Sequence, residues 1–159
     1  MSAAEYPYNL LLVDDNPAEV RLMQEAIKEA ELDHMIELSV CFDGEEAIDY
    51  LETGKIIGKL PHLVLLDLNM PKVTGKEVLG RIKDDADLER IPVFVVTNSD
   101  YRKDMIECYR LRADGYLQKP ADFKKLVDFF ISVKRSIEVN HRLSIFYIEK
   151  VYDELRLAI

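Results

Sequence analysis

Cysteine, membrane-length apolar runs and positive charge are what this chain is short of. It has two cysteines, Cys41 and Cys108, and neither belongs to a CxxC or Cys/His cluster, which argues against a zinc site. Cys41 falls in a strand-like apolar run and Cys108 on a helix-like one, so two buried thiols in a reducing compartment are expected. No apolar run approaches the ~20 residues that span a bilayer, so no membrane segment is expected. The opening Met1-Ser2-Ala3-Ala4-Glu5 lacks the basic and apolar regions of a secretory leader. Together these absences predict a cytoplasmic protein. Basic residues number 21 against 30 acidic ones, a net charge of −9 that disfavours non-specific nucleic-acid binding. The deficit is confined to residues 1–122, with 14 Lys/Arg against 25 Asp/Glu, whereas residues 123–159 carry 7 against 5. Repeats, low-complexity tracts and flexible linkers are missing too, and nothing resembling a helix-turn-helix follows residue 138.

What is present is a hydrophobic content of 48%, in a length that suits one domain with a sizeable core. Strand and helix signals alternate five times. The runs Leu10–Val13, Met35–Phe42, Leu63–Leu66, Val93–Val96 and Tyr116–Gln118 read as strands. Helical spacing follows each of them. Val20, Met23, Ile27 and Ala30 come after the Asn16-Pro17 start signal, and Ala47, Ile48 and Leu51 after Asp43-Gly44. That second helix is expected to give way at Thr53-Gly54 to a looser segment. Val78, Leu79 and Ile82 follow Gly75, and Met105, Ile106, Tyr109 and Leu111 precede a stop near Asp114-Gly115. Phe123, Leu126, Phe129, Phe130 and Val133 follow Asp122, with the three phenylalanines expected in the core. This alternation predicts a parallel sheet with helices on both faces. Ile148, Val151, Tyr152, Leu155 and Ile159 continue at helical spacing, as a further amphipathic helix or a continuation of the fifth.

An open α/β sheet presents its chemistry at the carboxyl ends of its strands. There the first strand ends in Asp14-Asp15, the third in Asp67, the fourth in Thr97-Asn98-Ser99 and the fifth in Lys119-Pro120. Three carboxylates at one edge need a cation, and oxygen ligands around a small open site suit Mg²⁺. A carboxylate can also attack phosphorus and form an aspartyl phosphate, while metal, ammonium and hydroxyl groups meet the charge on the transferring group. In this reading Asp14 and Asp15 hold the metal, Asp67 attacks, and Lys119 and Thr97 each meet a phosphoryl oxygen. Taken singly, each residue also has a structural reading: an acid pair before a helix is a common cap, a threonine an ordinary strand end, a lysine ordinary surface. Their placement at the ends of successive strands is what points to chemistry.

The quoted pieces resemble the response-regulator receiver family of two-component signalling, over about residues 8–138. The matching pieces are Leu11–Pro17 in part, Asp43–Ala47, Leu65–Pro71, Gly75, Val96-Thr97, Ala113–Tyr116 and Lys119-Pro120, with Thr97 and Lys119 correctly spaced after Asp67. The resemblance implies a flavodoxin-like fold, a doubly wound five-stranded parallel sheet in order 2-1-3-4-5 with five helices. It implies phosphotransfer from a histidine kinase to Asp67, and Mg²⁺ held by Asp14, Asp15, Asp67 and the Asn69 backbone carbonyl. It also implies a switch pair, Thr97 and Tyr116, and a cis Lys119–Pro120 bond. Residues 1–138 would form the receiver domain and residues 139–159 a C-terminal helical extension. The segments Asn16–Leu22, Ile48–Leu51, Arg90–Val93 and Lys119–Phe123 look like the small single-domain regulators paired with phytochrome-type histidine kinases. Those tend to dimerise through the face of the fourth helix, fifth strand and fifth helix, here residues 100–138. Asn98 departs from the family's small residue after the switch threonine, which is expected to modulate access to the acyl phosphate.

Competing functions fit less well. A haloacid-dehalogenase-like, Mg²⁺-dependent phosphohydrolase needs DxDx[TV] where this chain has Asp14-Asp15-Asn16-Pro17, and room for a cap domain. An FMN binder needs a Ser/Thr/Gly-rich phosphate loop where two acids stand. A phosphorylation-independent, receiver-like binding module would lack a site residue, and none is missing.

Overall fold

The structure is a computed structural model, and it describes residues 7–99, 102–120 and 122–157. Five strands, β1 (Tyr8–Val13), β2 (Ile36–Cys41), β3 (Leu63–Leu66), β4 (Val93–Thr97) and β5 (Gly115–Gln118), form one parallel sheet in the order β2-β1-β3-β4-β5. Among the described residues six helices flank it: α1 (Pro17–Glu29), α2 (Gly44–Ile57), α3 (Gly75–Lys83), α4 (Arg102–Arg110), α5 (Phe123–Asn140) and α6 (Ile145–Leu157). Alternation along the buried strands divides the core in two. Leu10, Leu12, Leu63, Leu65, Phe94 and Val96 face one cluster with α1, α5 and α6. Leu11, Val13, Val64, Leu66, Val93 and Val95 face the other, with α2, α3 and Cys108 of α4. Because β1 pairs with β2 on one side and β3 on the other, the chain leaves the sheet in opposite directions there, and a crevice opens beyond Val13 and Leu66.

Local chemistry fixes the helix starts that border the crevice. Asn16 caps α1 by accepting from the Ala18 N–H at 3.0 Å, with Pro17 in the first turn. Asp43 caps α2 by accepting from Glu46 N–H at 2.7 Å, and Thr74 caps α3 by accepting from Glu77 N–H at 3.2 Å.

Three expectations need correction. Helix α2 does not end at Thr53-Gly54 but runs on to Ile57. Gly54 sits inside it because the returning chain passes so close that a Cβ would lie 2.6 Å from the Lys59 carbonyl oxygen, and the helix stops instead at Gly58, whose φ of +71° suits glycine. Helix α4 stops at Arg110, and of the residues expected on its apolar side, Met105, Ile106 and Tyr109 are exposed; Cys108 is the side chain it buries. Phe123 is exposed at the start of α5, whereas Phe129 and Phe130 lie in the core as expected. The stretch after α5 forms a separate helix rather than a continuation: His141 takes a left-handed conformation and donates its N–H to the Ile137 carbonyl, which ends α5. Ile159 lies outside the described residues. Among the described residues no helix is long and apolar enough to cross a membrane. Both cysteines are free and buried, and burial pushes the Cys41 thiol up to about 12 and the Cys108 thiol to about 11, so both are inert thiols.

Candidate functional site

Each candidate side chain sits where a strand's hydrogen-bond ladder runs out. The Asp14 N–H donates to the Cys41 carbonyl at 3.1 Å, the Asp67 N–H to the Val13 carbonyl at 2.9 Å, and the Lys119 N–H to the Thr97 carbonyl at 2.6 Å. Backbone pairing thus carries one residue past the strand ends and aligns the side chains across β1, β3, β4 and β5. Asp14 and Thr97 are completely buried and Asp67 is 6% exposed, so these groups are polar by design in a place where burial is costly.

One ammonium serves the acids. Lys119 Nζ lies 2.7 Å from Asp14 Oδ2 and 3.7 Å from Asp67 Oδ2, and it donates to Glu19 as well. Asp14, Glu19 and Asp67 each offer a carboxylate oxygen within 4.8 Å of the others. Burial is the largest influence on Asp14 and pushes its carboxyl up to about 6, against the pull of Lys119 and the Asn16 N–H. Asp67 is raised in the same way, by burial first, with Lys119 opposing. Burial alone would raise Glu19 too, but hydrogen bonds from Lys119 and Asn98 hold it below the usual carboxylate range. For Lys119 burial works to lower the pKa, yet the bonds to Asp14 and Glu19 raise it. Three acids against one ammonium leave negative charge uncompensated, and the donors are all oxygens. That combination suits a hard divalent cation.

The structure therefore brings together Asp14, Asp67, Thr97 and Lys119. Asp15 is half-buried beside this group and its charge helps to raise Asp67, but it stands outside the compact acidic trio. Asp67 Oδ1 accepts from the Asn69 N–H at 3.4 Å across the turn after β3, and the Asn69 side-chain amide points to the Thr97 hydroxyl, also at 3.4 Å. Tyr116 is half-buried, packs against the α2/α3/α4 side of the core and donates its hydroxyl to the Ser99 carbonyl at 2.9 Å. Ser99 in turn donates its N–H to Thr97 Oγ1 at 3.3 Å and its hydroxyl to Asp104 at 2.7 Å. Thr97 and Tyr116 thus meet through one residue, which is tied to α4. Asn98 is exposed and donates to Glu19 Oε1 at 2.9 Å.

Glu19 is the site residue that sequence reasoning missed. It follows the cap Asn16 by three positions, where an acid is routine as a helix-start partner. The available signal was an acid on the first turn of a helix that begins directly after Asp14-Asp15, facing the same strand ends.

The response regulator receiver domain family matches residues 10–130. Response regulator Rcp1 of Synechocystis sp. is 43% identical over 122 residues, covering 76% of this chain and 82% of Rcp1. The Mn²⁺-bound structure of Rcp1 superimposes with a TM-score of 0.70 at 40% identity, over 84% of this chain and 95% of that one. The probable methanogenesis regulatory protein FilR2 of Methanothrix harundinacea is 40% identical over 136 residues, 85% of this chain and 82% of FilR2. The phosphorylated cyanobacterial phytochrome response regulator RcpA superimposes with a TM-score of 0.75 at 35% identity, over 85% of this chain and 96% of RcpA.

Proposed function

The chain belongs to the response regulator receiver domain family, phosphoacceptor signalling modules rather than classical enzymes, and on that footing we propose that it accepts a phosphoryl group on Asp67 from a sensor histidine kinase. The observation that carries this reading is the convergence of Asp67 and Lys119, 3.7 Å apart, with the buried Thr97 hydroxyl on the next strand. In the transfer the phosphorus–nitrogen bond of the donor histidine breaks and a bond from phosphorus to Asp67 Oδ forms. Lys119 meets one phosphoryl oxygen with its ammonium, and the Thr97 hydroxyl donates to another. The ion is Mg²⁺ in this reading, held by Asp14, Asp15, Asp67 and the Asn69 carbonyl, with Glu19 at hand. Bound there, it neutralises carboxylate and phosphoryl charge. Rcp1 has been seen with Mn²⁺, a cation of similar oxygen preference, which supports the assignment.

When Thr97 turns to the phosphoryl group it leaves Ser99, and Tyr116, tethered to the same residue, repacks. The face of α4, β5 and α5 then changes, and it is the surface for a partner or a second copy. Exposed Met105, Ile106 and Tyr109 on α4 support that role. The similarity to RcpA favours a phytochrome-type kinase as the donor.

The test is incubation with acetyl phosphate and Mg²⁺ followed by intact mass. Wild type should gain one phosphoryl group, and Asp67→Ala none. Retention of the adduct in Asp67→Ala would move the acceptor to another residue and overturn the assignment of Asp67, and failure of wild type to bind beryllofluoride as well as to accept phosphate would return the chain to a constitutive binding module.

A further inference from the structure

Glu19 is gripped from two sides of the cleft. One carboxylate oxygen accepts from the side-chain amide of Asn98, at the end of β4, at 2.9 Å. The other accepts from Lys119, at the end of β5. Glu19 itself rides on the first turn of α1, so its side chain joins three elements across the mouth of the site. The same carboxylate belongs to the trio with Asp14 and Asp67. An ion drawn in by that trio competes for oxygens that Asn98 and Lys119 already hold, and its charge repels the ammonium.

We propose that Glu19 is a positioning residue that acts as a metal-operated clasp: without a divalent ion it ties Asn98 and Lys119 to α1, and it releases both when an ion takes its carboxylate. The inference rests on the proposed function for the identity of the ion. Released from Glu19, Lys119 keeps its 2.7 Å bond to Asp14 and can swing about it to close the 3.7 Å to Asp67 and meet an incoming phosphoryl oxygen. Released from Glu19, Asn98 no longer straps the segment after Thr97 to α1. Metal loading thus prepares the ammonium and loosens the switch loop in one event. If Glu19 were only a first-turn acid complementing the dipole of α1, Asn98 would have no influence on the metal.

Mg²⁺ titration by calorimetry and ¹H–¹⁵N spectra of the Asn98 side-chain amide separate the two. Asn98 is exposed, so Asn98→Ala leaves the fold intact. It should bind Mg²⁺ about fivefold more tightly than wild type, because the ion no longer displaces a charge-assisted hydrogen bond. Glu19→Gln should bind about tenfold more weakly, having lost one ligand charge. The wild-type Asn98 amide signals should move on addition of Mg²⁺ towards the positions they hold in metal-free Glu19→Ala. Unchanged or weaker Mg²⁺ binding by Asn98→Ala, or amide signals that stay still while wild type binds Mg²⁺, would overturn the clasp and leave the phosphoacceptor reading standing. A wild type that binds no Mg²⁺ would overturn both.

Discussion

A carboxylate with no exposure and a pKa near 6 makes the stability of the metal-free protein depend on pH. Asp14 is raised from an ordinary 3.8, burial being the main cause, so the folded state prefers the protonated acid. Its favourable contribution is complete below about pH 3.8 and is lost as pH rises through about 6. Asp14→Asn keeps a neutral side chain at every pH. Its stability relative to wild type should therefore climb between pH 4 and pH 6 and level off above, by up to about 3 kcal/mol. His62, whose pKa burial lowers, is common to both proteins and cancels in the difference. Urea denaturation in chelator across that range checks it; a flat difference would mean that Asp14 ionises in the fold at no cost. Saturating Mg²⁺ should reverse the trend, since the ion favours the ionised acid. Asp14, Asp67, Thr97 and Lys119 were legible in the sequence because each follows an apolar run that must be a buried strand. Glu19 was not, because its role is set by Lys119, 100 residues away in sequence, and nothing local distinguishes it from an ordinary acid at a helix start.

Elements meet at the site through backbone as much as through side chains. Gly75 opens α3 directly under the Asp67 turn, where a Cβ would lie 2.2 Å from the Asp67 carbonyl oxygen and 2.6 Å from Leu68 Cα. Neither atom is the end of a flexible side chain, so Gly75→Ala must push α3 away from β3. The expected cost is about 1–3 kcal/mol, with weaker Mg²⁺ binding as the Asp67 end of β3 shifts. Gly80 on the same helix is the control: the nearest atom to its Cβ would be Leu111 Cδ2 at 3.9 Å. Gly80→Ala should stabilise by about 0.5–1 kcal/mol through helix propensity and leave Mg²⁺ binding untouched. Equal losses in both would sink the argument from close approach. The sequence placed Gly75 at a helix start from its local pattern, but Thr53-Gly54 misled as a helix end. Gly54 serves a tertiary contact with Lys59, which leaves no trace in local periodicity. In α4 the apolar spacing suggested a core face, yet the helix is held from outside as well: Lys76 of α3 lies 2.6 Å from both Asp104 and Glu107. Charge pairing between helices replaces burial there, and hydrophobic spacing cannot report it.

At the scale of the molecule, residues 139–159 were expected to form an amphipathic helical extension that follows a receiver domain ending at 138. We propose, from the contacts that α6 makes, that this extension folds with the sheet as one cooperative unit. Leu143, Ile148 and Tyr152 belong to the same core cluster as Leu10, Phe94 and Phe129, and Ile148 is fully buried. The Tyr152 and Phe129 rings meet edge to face at 5.7 Å. The turn between α5 and α6 is built from specific bonds: Ser136 Oγ donates to the Arg142 carbonyl at 2.7 Å and accepts from the Ser144 N–H at 2.8 Å, while the Tyr8 hydroxyl, on the first strand, donates to the His141 carbonyl at 2.9 Å. Glu149 sits where a Cβ on Gly115 would meet its carboxylate at 2.8 Å, so α6 also reaches the start of β5 and borders the proposed switch face. Ile148→Ala leaves a cavity between α6 and the sheet and should cost about 2–5 kcal/mol. If α6 folds with the sheet, unfolding of this variant stays cooperative, with far-UV dichroism and the near-UV tyrosine signal moving to one lower urea midpoint. An independent extension would fray instead: helical signal would be lost early, and the midpoint of the remaining protein would stay where wild type has it.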